Sequence, residues 1–114
     1  MTLLRRKEDR ELCADLVKVQ WKSESGRLHT EWAILGDISP SGACLEMEEP
    51  IPSDTLLSLE FPTDRCQARI KYCIFDKINY LLGVTFEQGY RWSRGRYKPN
   101  HLTQFRMRGV KNDS

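Results

Sequence analysis

The stretch Cys66-Gln67-Ala68-Arg69-Ile70-Lys71-Tyr72-Cys73-Ile74 decides how the rest of the chain is read. Cys66, Ala68, Ile70, Tyr72 and Ile74 alternate with the polar Gln67, Arg69 and Lys71. A period of two sends one set of side chains to a buried face and the other to water, the mark of a half-buried β-strand. The same alternation recurs on either side. Downstream it runs through Tyr80, Leu82, Val84 and Phe86; upstream it runs through Leu57, Leu59 and Phe61, through Ala43, Leu45 and Met47, and through Val17, Val19 and Trp21. Residues 32–38 read as a further strand, with Trp32 and Ile34 as its inward residues.

The breaks between these runs carry turn chemistry. Residues 23–26, Ser39-Pro40-Ser41-Gly42, and residues 50–54, 62–64 and 76–79 are rich in Gly, Pro, Ser, Asp and Asn. About six short strands at this spacing predict an antiparallel all-β fold. A closed barrel is the simplest way to leave no open edges among them.

A chain of 114 residues, 39% hydrophobic and 30% charged, has material for one core and no more. The expected organisation is a single domain over residues 1–114. It comprises a flexible arginine segment at 1–10, a barrel at 11–88, and a basic, aromatic tail at 89–114. Asn100 is expected to cap a short C-terminal helix that carries Leu102, Phe105 and Met107. Residues 1–4 are apolar, but Arg5 and Arg6 follow at once, so no secretory core is read there, and no apolar run approaches a membrane span. A cytoplasmic location is expected. Cys13, Cys44, Cys66 and Cys73 form no C-x-x-C pair, and His29 and His101 complete no zinc pattern. The thiols are expected to be reduced, with no metal and no cofactor.

Net charge is only +2, but it is unevenly distributed. Residues 5–10 hold Arg5, Arg6, Lys7 and Arg10. Residues 44–64 hold six acidic side chains and no basic one, and residues 88–112 hold seven basic side chains and no acidic one. Basic ends point to an anionic partner, although a solvated surface gives the same pattern.

Two motifs carry chemistry. In Arg5-Arg6-Lys7-Glu8-Asp9-Arg10, each guanidinium offers a planar fork that fits phosphate oxygens or the O6/N7 edge of guanine, and a face that stacks on a purine. In Asp37-Ile38-Ser39-Pro40-Ser41-Gly42, the carboxylate suits the N1–H and N2–H donors of guanine and the Ser39 hydroxyl donates or accepts. Gly42 permits a positive φ and close approach to the backbone. Taken alone, the first motif reads better as a solvated basic tail and the second as an ordinary capped turn.

Taken in order, Arg6-x-x-x-Arg10 with Arg5 before it, then Asp37-x-Ser39-x-x-Gly42, resembles the paired signature of PilZ domains. The strand Cys66-x-Ala68-x-Ile70 and the closing Leu82-Gly83-Val84-Thr85-Phe86 are also similar to that family, and the resemblance covers about residues 5–87. It implies a six-stranded antiparallel PilZ-like β-barrel that binds cyclic di-GMP and signals to a protein partner. It further implies that Arg6 and Arg10 hold phosphate and guanine, that Arg5 adds a further contact, that Asp37 and Ser39 bind a guanine edge, and that Gly42 shapes the turn. An arginine at position 5 points to two ligand molecules per chain. Glu11 departs from the pattern, placing an anion beside the arginines.

The competing readings are an adaptor with weak or no ligand binding, a small nucleic-acid-binding barrel using Tyr90, Trp92 and Tyr97, and an enzyme. The last is not expected, because no nucleophile has an evident base partner and His29 and His101 stand alone. No membrane partner is expected, nucleic acid is disfavoured, and the chain is expected to be a monomer or weak dimer.

Overall fold

In the computed structural model, residues 11–99 are described, with side chains from residue 13 onward. Six strands follow one another: β1 (Glu11–Lys22), β2 (Leu28–Ser39), β3 (Gly42–Met47), β4 (Leu56–Glu60), β5 (Arg65–Asp76) and β6 (Asn79–Phe86). They close into an antiparallel barrel in the order β1-β2-β3-β6-β5-β4, with β4 returning to β1. The expected all-β barrel is therefore present. The expected C-terminal helix, with Leu102 and Phe105, lies outside the described residues.

Most of the alternation places side chains as read. Val17, Val19, Trp21, Ala43, Leu45, Met47, Leu57, Leu59, Phe61, Leu82, Val84 and Phe86 are all buried inside the barrel. Ile51, from the β3–β4 connection, and Ile38 join them as fully buried side chains. Burial of this kind stabilises by roughly 1.5–3 kcal/mol per large aliphatic side chain.

Two parts of the pattern are corrected. Trp32 and Ile34 do not face inward; they are 61% and 44% exposed, and their neighbours Ala33 and Leu35 fill the core. Cross-strand register decides this. Residues directly opposite in an antiparallel pair share a face, and β2 pairs Ala33 with Val17 and Trp32 with Lys18. Once Val17 points inward, Trp32 must point outward, where the Lys18 ammonium sits 5.9 Å from its ring centroid. Tyr72 and Ile74 were likewise expected inside, and are 39% and 54% exposed.

The second correction has a local cause. Ile70 pairs with Val84, but Tyr72 pairs with Gly83, so Lys71 is an extra residue on β5. Such a bulge reverses which side chains face in. Ile70 points to the core and Tyr72, two residues later, points out. A matching bulge interrupts β2: Leu35 pairs with Leu45 and Asp37 with Cys44, leaving Gly36 over. Leu35 is therefore inside, Asp37 is outside, and Ile38 is inside again.

Candidate functional site

These two bulges build one stretch of outer wall. Beyond them, pairing aligns Asp37 with Cys44, Cys44 with Gly83, and Gly83 with Tyr72, a row crossing four strands. The next row is Ser39, Gly42, Thr85 and Arg69. Without the Gly36 bulge, Asp37 would share the inward face of Leu35. The bulge is what turns Asp37 to the outer wall.

The motif residues take distinct places. Asp37 is half-buried on the wall. Ser39 is buried, and its hydroxyl donates to the Gly42 carbonyl at 3.4 Å, a long bond that leaves much of its capacity unused. Gly42 does not need a positive φ, in contrast to the expectation from sequence. Its requirement is space: a Cβ there would press into the Val84 carbonyl of β6. Close approach of two backbones, rather than a left-handed turn, calls for glycine.

Sequence reasoning missed Cys44, Gly83, Tyr72, Thr85 and Arg69 as companions of the motif. The Tyr72 ring fills the place that a side chain would take at Gly83. Arg69 donates from Nη1 to the Asp54 carbonyl at 2.8 Å and from Nε to Glu87 at 3.3 Å. A glycine inside a strand pattern was the available signal. The register that sets Tyr72 upon it was not readable locally.

Pairing places the start of β1 beside the Asp37 motif. At the start of β1, Glu11 pairs with Ile38 and Leu12 with Asp37. The chain thus enters the barrel beside the Asp37–Ser39 end of β2. Arg5, Arg6 and Arg10 precede that entry in sequence and lie outside the described residues.

Residues 87–99 fold over this end of the barrel. The Trp92 N–H donates to the Pro40 carbonyl at 2.9 Å, inside the motif turn, and Phe86 N–H donates to Ser41 at 2.9 Å. The Trp92 indole N–H donates to the Tyr97 carbonyl at 2.8 Å, and the Tyr97 hydroxyl donates to the Asp15 carboxylate on β1. Tyr97 also stacks on Phe61, with centroids 4.8 Å apart. Trp92 and Tyr97 are buried, while Arg91, Arg94 and Lys98 are exposed. One loop therefore holds both the motif turn and the first part of β1. Burial and the acceptor on Asp15 push the Tyr97 phenol well above its ordinary range.

Asp64 anchors the loop from the β4–β5 turn. It accepts from the Tyr90 hydroxyl at 2.7 Å and from Arg96 Nε at 3.0 Å, and Arg96 lies 4.6 Å from the Tyr90 ring centroid. Burial raises the Asp64 pKa, but the bonds from Tyr90, Arg96 and the Arg65 N–H outweigh it and hold the carboxyl below 3.8. Burial, with the Asp64 charge close by, pushes the neighbouring Cys66 thiol up to about 12. A carboxyl depressed by folding adds stability above its unfolded pKa, and that stability is lost as pH falls through the folded value. Asp64→Asn is expected to be less stable than the parent near neutral pH, with the gap closing below the ordinary carboxylate range. Urea midpoints measured across that range check this; a gap independent of pH would mean the charge on Asp64 contributes nothing.

Among the described residues, no group of three His, Cys, Asp or Glu side chains is placed to hold a metal ion. His29 stacks on Trp21 at 5.1 Å.

A closed six-stranded barrel whose Asp-x-Ser-x-x-Gly turn sets Asp37 on the outer wall defines a small β-barrel domain. The chain belongs to the PilZ domain family, whose family model matches residues 4–91. No curated protein matches the chain. Among solved structures it is similar to MrkH of K. pneumonia in complex with c-di-GMP, at 16% identity and a TM-score of 0.59, covering 99% of this chain and 57% of that one. It is also similar to the PilZ domain of YcgR from Escherichia coli with c-di-GMP, at 16% identity and a TM-score of 0.57, covering 96% of this chain and 98% of that one. The chain spans about half the length of MrkH.

Proposed function

We propose that this chain is a cyclic di-GMP receptor that binds its ligand on the outer wall, performs no chemistry on it, and passes the signal to a protein partner. The observation that carries the reading is the Gly36 bulge, which turns Asp37 outward beside the entry of β1, directly after the arginine run. Family membership and likeness to two c-di-GMP complexes support it.

In this reading the Asp37 carboxylate accepts the N1–H and N2–H of one guanine, and Ser39 and the bare backbone at Gly42 border that base. The Tyr72 ring, set over Gly83 and 39% exposed, offers a purine an aromatic contact on the same row. Arg6 and Arg10 supply charge-assisted bonds to phosphate and guanine, and Arg5 serves a second ligand molecule. A receptor for an intracellular second messenger works in the cytoplasm, and that location follows from the proposed ligand. Among the described residues no helix is long and apolar enough to cross a membrane. The nucleic-acid alternative is disfavoured, because buried Trp92 and Tyr97 offer no open faces to bases.

Calorimetry tests the proposal. Cyclic di-GMP is expected to bind near two per chain, while GMP, cyclic di-AMP and short single strands bind far more weakly at two salt concentrations. Arg6→Ala and Arg10→Ala should each cost roughly 1.5–3 kcal/mol, the worth of hydrogen bonds to charged groups. Asp37→Ala should lower the preference for guanine. Arg5→Leu should move the ratio toward one. Parental affinity in both arginine variants would remove the clamp from the site, and binding set only by salt and strand length would favour nucleic acid.

A further inference from the structure

The corrected face of β2 exposes a hydrophobic surface that the ligand reading does not use. Leu16 and Trp32 are each 61% exposed and Ile34 is 44% exposed. Leu16 pairs with Ile34 across β1 and β2, and Trp32 lies two residues along on the same face, so the three form one patch. The row continues through Glu46 on β3 and Leu81 on β6 to Ile74 on β5, itself 54% exposed. Isolated exposed apolar residues are ordinary, but a contiguous patch with an ordered rim marks an interaction surface.

The charged lining of the groove beside it has one sign. A groove of about 310 Å³ runs along the patch, and its charged lining is Glu31, Glu46, Glu48 and Glu49, with no lysine or arginine. Glu46 accepts from Asn79 at 2.9 Å. None of these four glutamates forms an ion pair among the described residues. Lys18 stands at the far margin, over Trp32 and 3.9 Å from Glu60. On a chain of net charge +2, this is a local field opposite to the whole.

We infer that this groove docks a segment of a partner protein in which an apolar or aromatic side chain is flanked by arginine or lysine. The apolar side chain seats among Leu16, Trp32 and Ile34, and the flanking cations meet the glutamates. Acidic segments and anionic lipid surfaces are repelled. The row Leu16–Ile34–Glu46 lies next to the row that begins at Asp37, so the partner reads the wall beside the candidate ligand site. The inference rests on the adaptor part of the proposed function and supplies its surface.

The test uses the full chain and arrayed synthetic peptides of matched length. Each peptide carries the same leucine and tryptophan, flanked by arginine and lysine, by serine, or by aspartate and glutamate. Retention is measured with and without cyclic di-GMP. The basic set is expected to be retained in at least one condition, at least about tenfold more tightly than the other two, and less so as salt rises. Trp32→Ser with Ile34→Ser, and separately Glu48→Lys with Glu49→Lys, should each reduce retention about tenfold or more while melting near the parent temperature. Equal retention of all three sets, retention of none in either condition, or no effect of the charge reversal would overturn the inference. So would a dimer seen by sedimentation that the Trp32→Ser, Ile34→Ser variant abolishes, since the patch would then serve a second copy. Calorimetry of the nucleotide is a separate measurement, so failure of docking and failure of ligand binding are told apart.

Discussion

Gly42→Val is expected to unfold the barrel or to bring it close to unfolding. The new Cβ would drive into the Val84 carbonyl, and the obstacle is backbone, which no rotamer change can move aside. Relief requires β3 and β6 to part at the pair of Gly42 with Thr85. Overpacking alone costs about 1–3 kcal/mol, and loss of the adjoining ladder bonds adds to it. Against a total stability of about 5–15 kcal/mol, that is a large share. Even Gly42→Ala should lower the urea midpoint clearly. Gly95→Ala is the control: its nearest neighbour would be the Ser93 hydroxyl at 3.8 Å, so the midpoint should hardly move. A parental midpoint for Gly42→Ala would show that the two strands separate at little cost.

Trp92→Ala is expected to cost roughly 3–5 kcal/mol, as large aromatic truncations in a core do. The indole is 5% exposed and its N–H has a defined acceptor on Tyr97. The loss does not stop at the cavity. The loop carries the bonds to Pro40 and to Asp15, so its loosening frees both the motif turn and the first part of β1. The variant should melt earlier and, if the outer wall is the ligand site, bind cyclic di-GMP more weakly even where it is folded. Lys98→Ala, at an exposed position of the same loop, should leave the melting temperature near the parent's. Equal melting of the Trp92 variant and the parent would mean the loop contributes nothing to the barrel.

The barrel was legible because most strands keep an unbroken pleat. Val17, Val19 and Trp21, or Leu82, Val84 and Phe86, can be sorted by counting in twos. Counting fails where the pleat is interrupted. Lys71 carries no mark of a bulge, so Tyr72 and Ile74 were placed inside. Gly36 did carry a mark, being a glycine in a strand, and it explains why Asp37 faces out. Trp32 and Ile34 differ for another reason: residues 32–35 are all apolar, so either alternate set could face inward, and pairing with β1 makes the choice. The candidate site was legible as two motifs in order. Its other members, Cys44, Gly83, Tyr72, Thr85 and Arg69, come from three different strands, and only long-range register sets them in rows.

The strand order also has a kinetic side. The pairs β1–β2, β2–β3, β4–β5 and β5–β6 join neighbours in sequence, so each closes a short loop. The remaining two, Gly42 with Thr85 and Lys18 with Glu60, each join residues some forty positions apart. Loop closure must be paid before such contacts return anything. The chain is therefore expected to form two early meanders, residues 11–47 and 56–86, with their mutual docking along two seams setting the folding rate. Gly42 sits in one of those seams. The glycine that borders the candidate ligand turn thus governs how fast the barrel shuts, and Gly42→Ala should slow refolding rather than chiefly hasten unfolding.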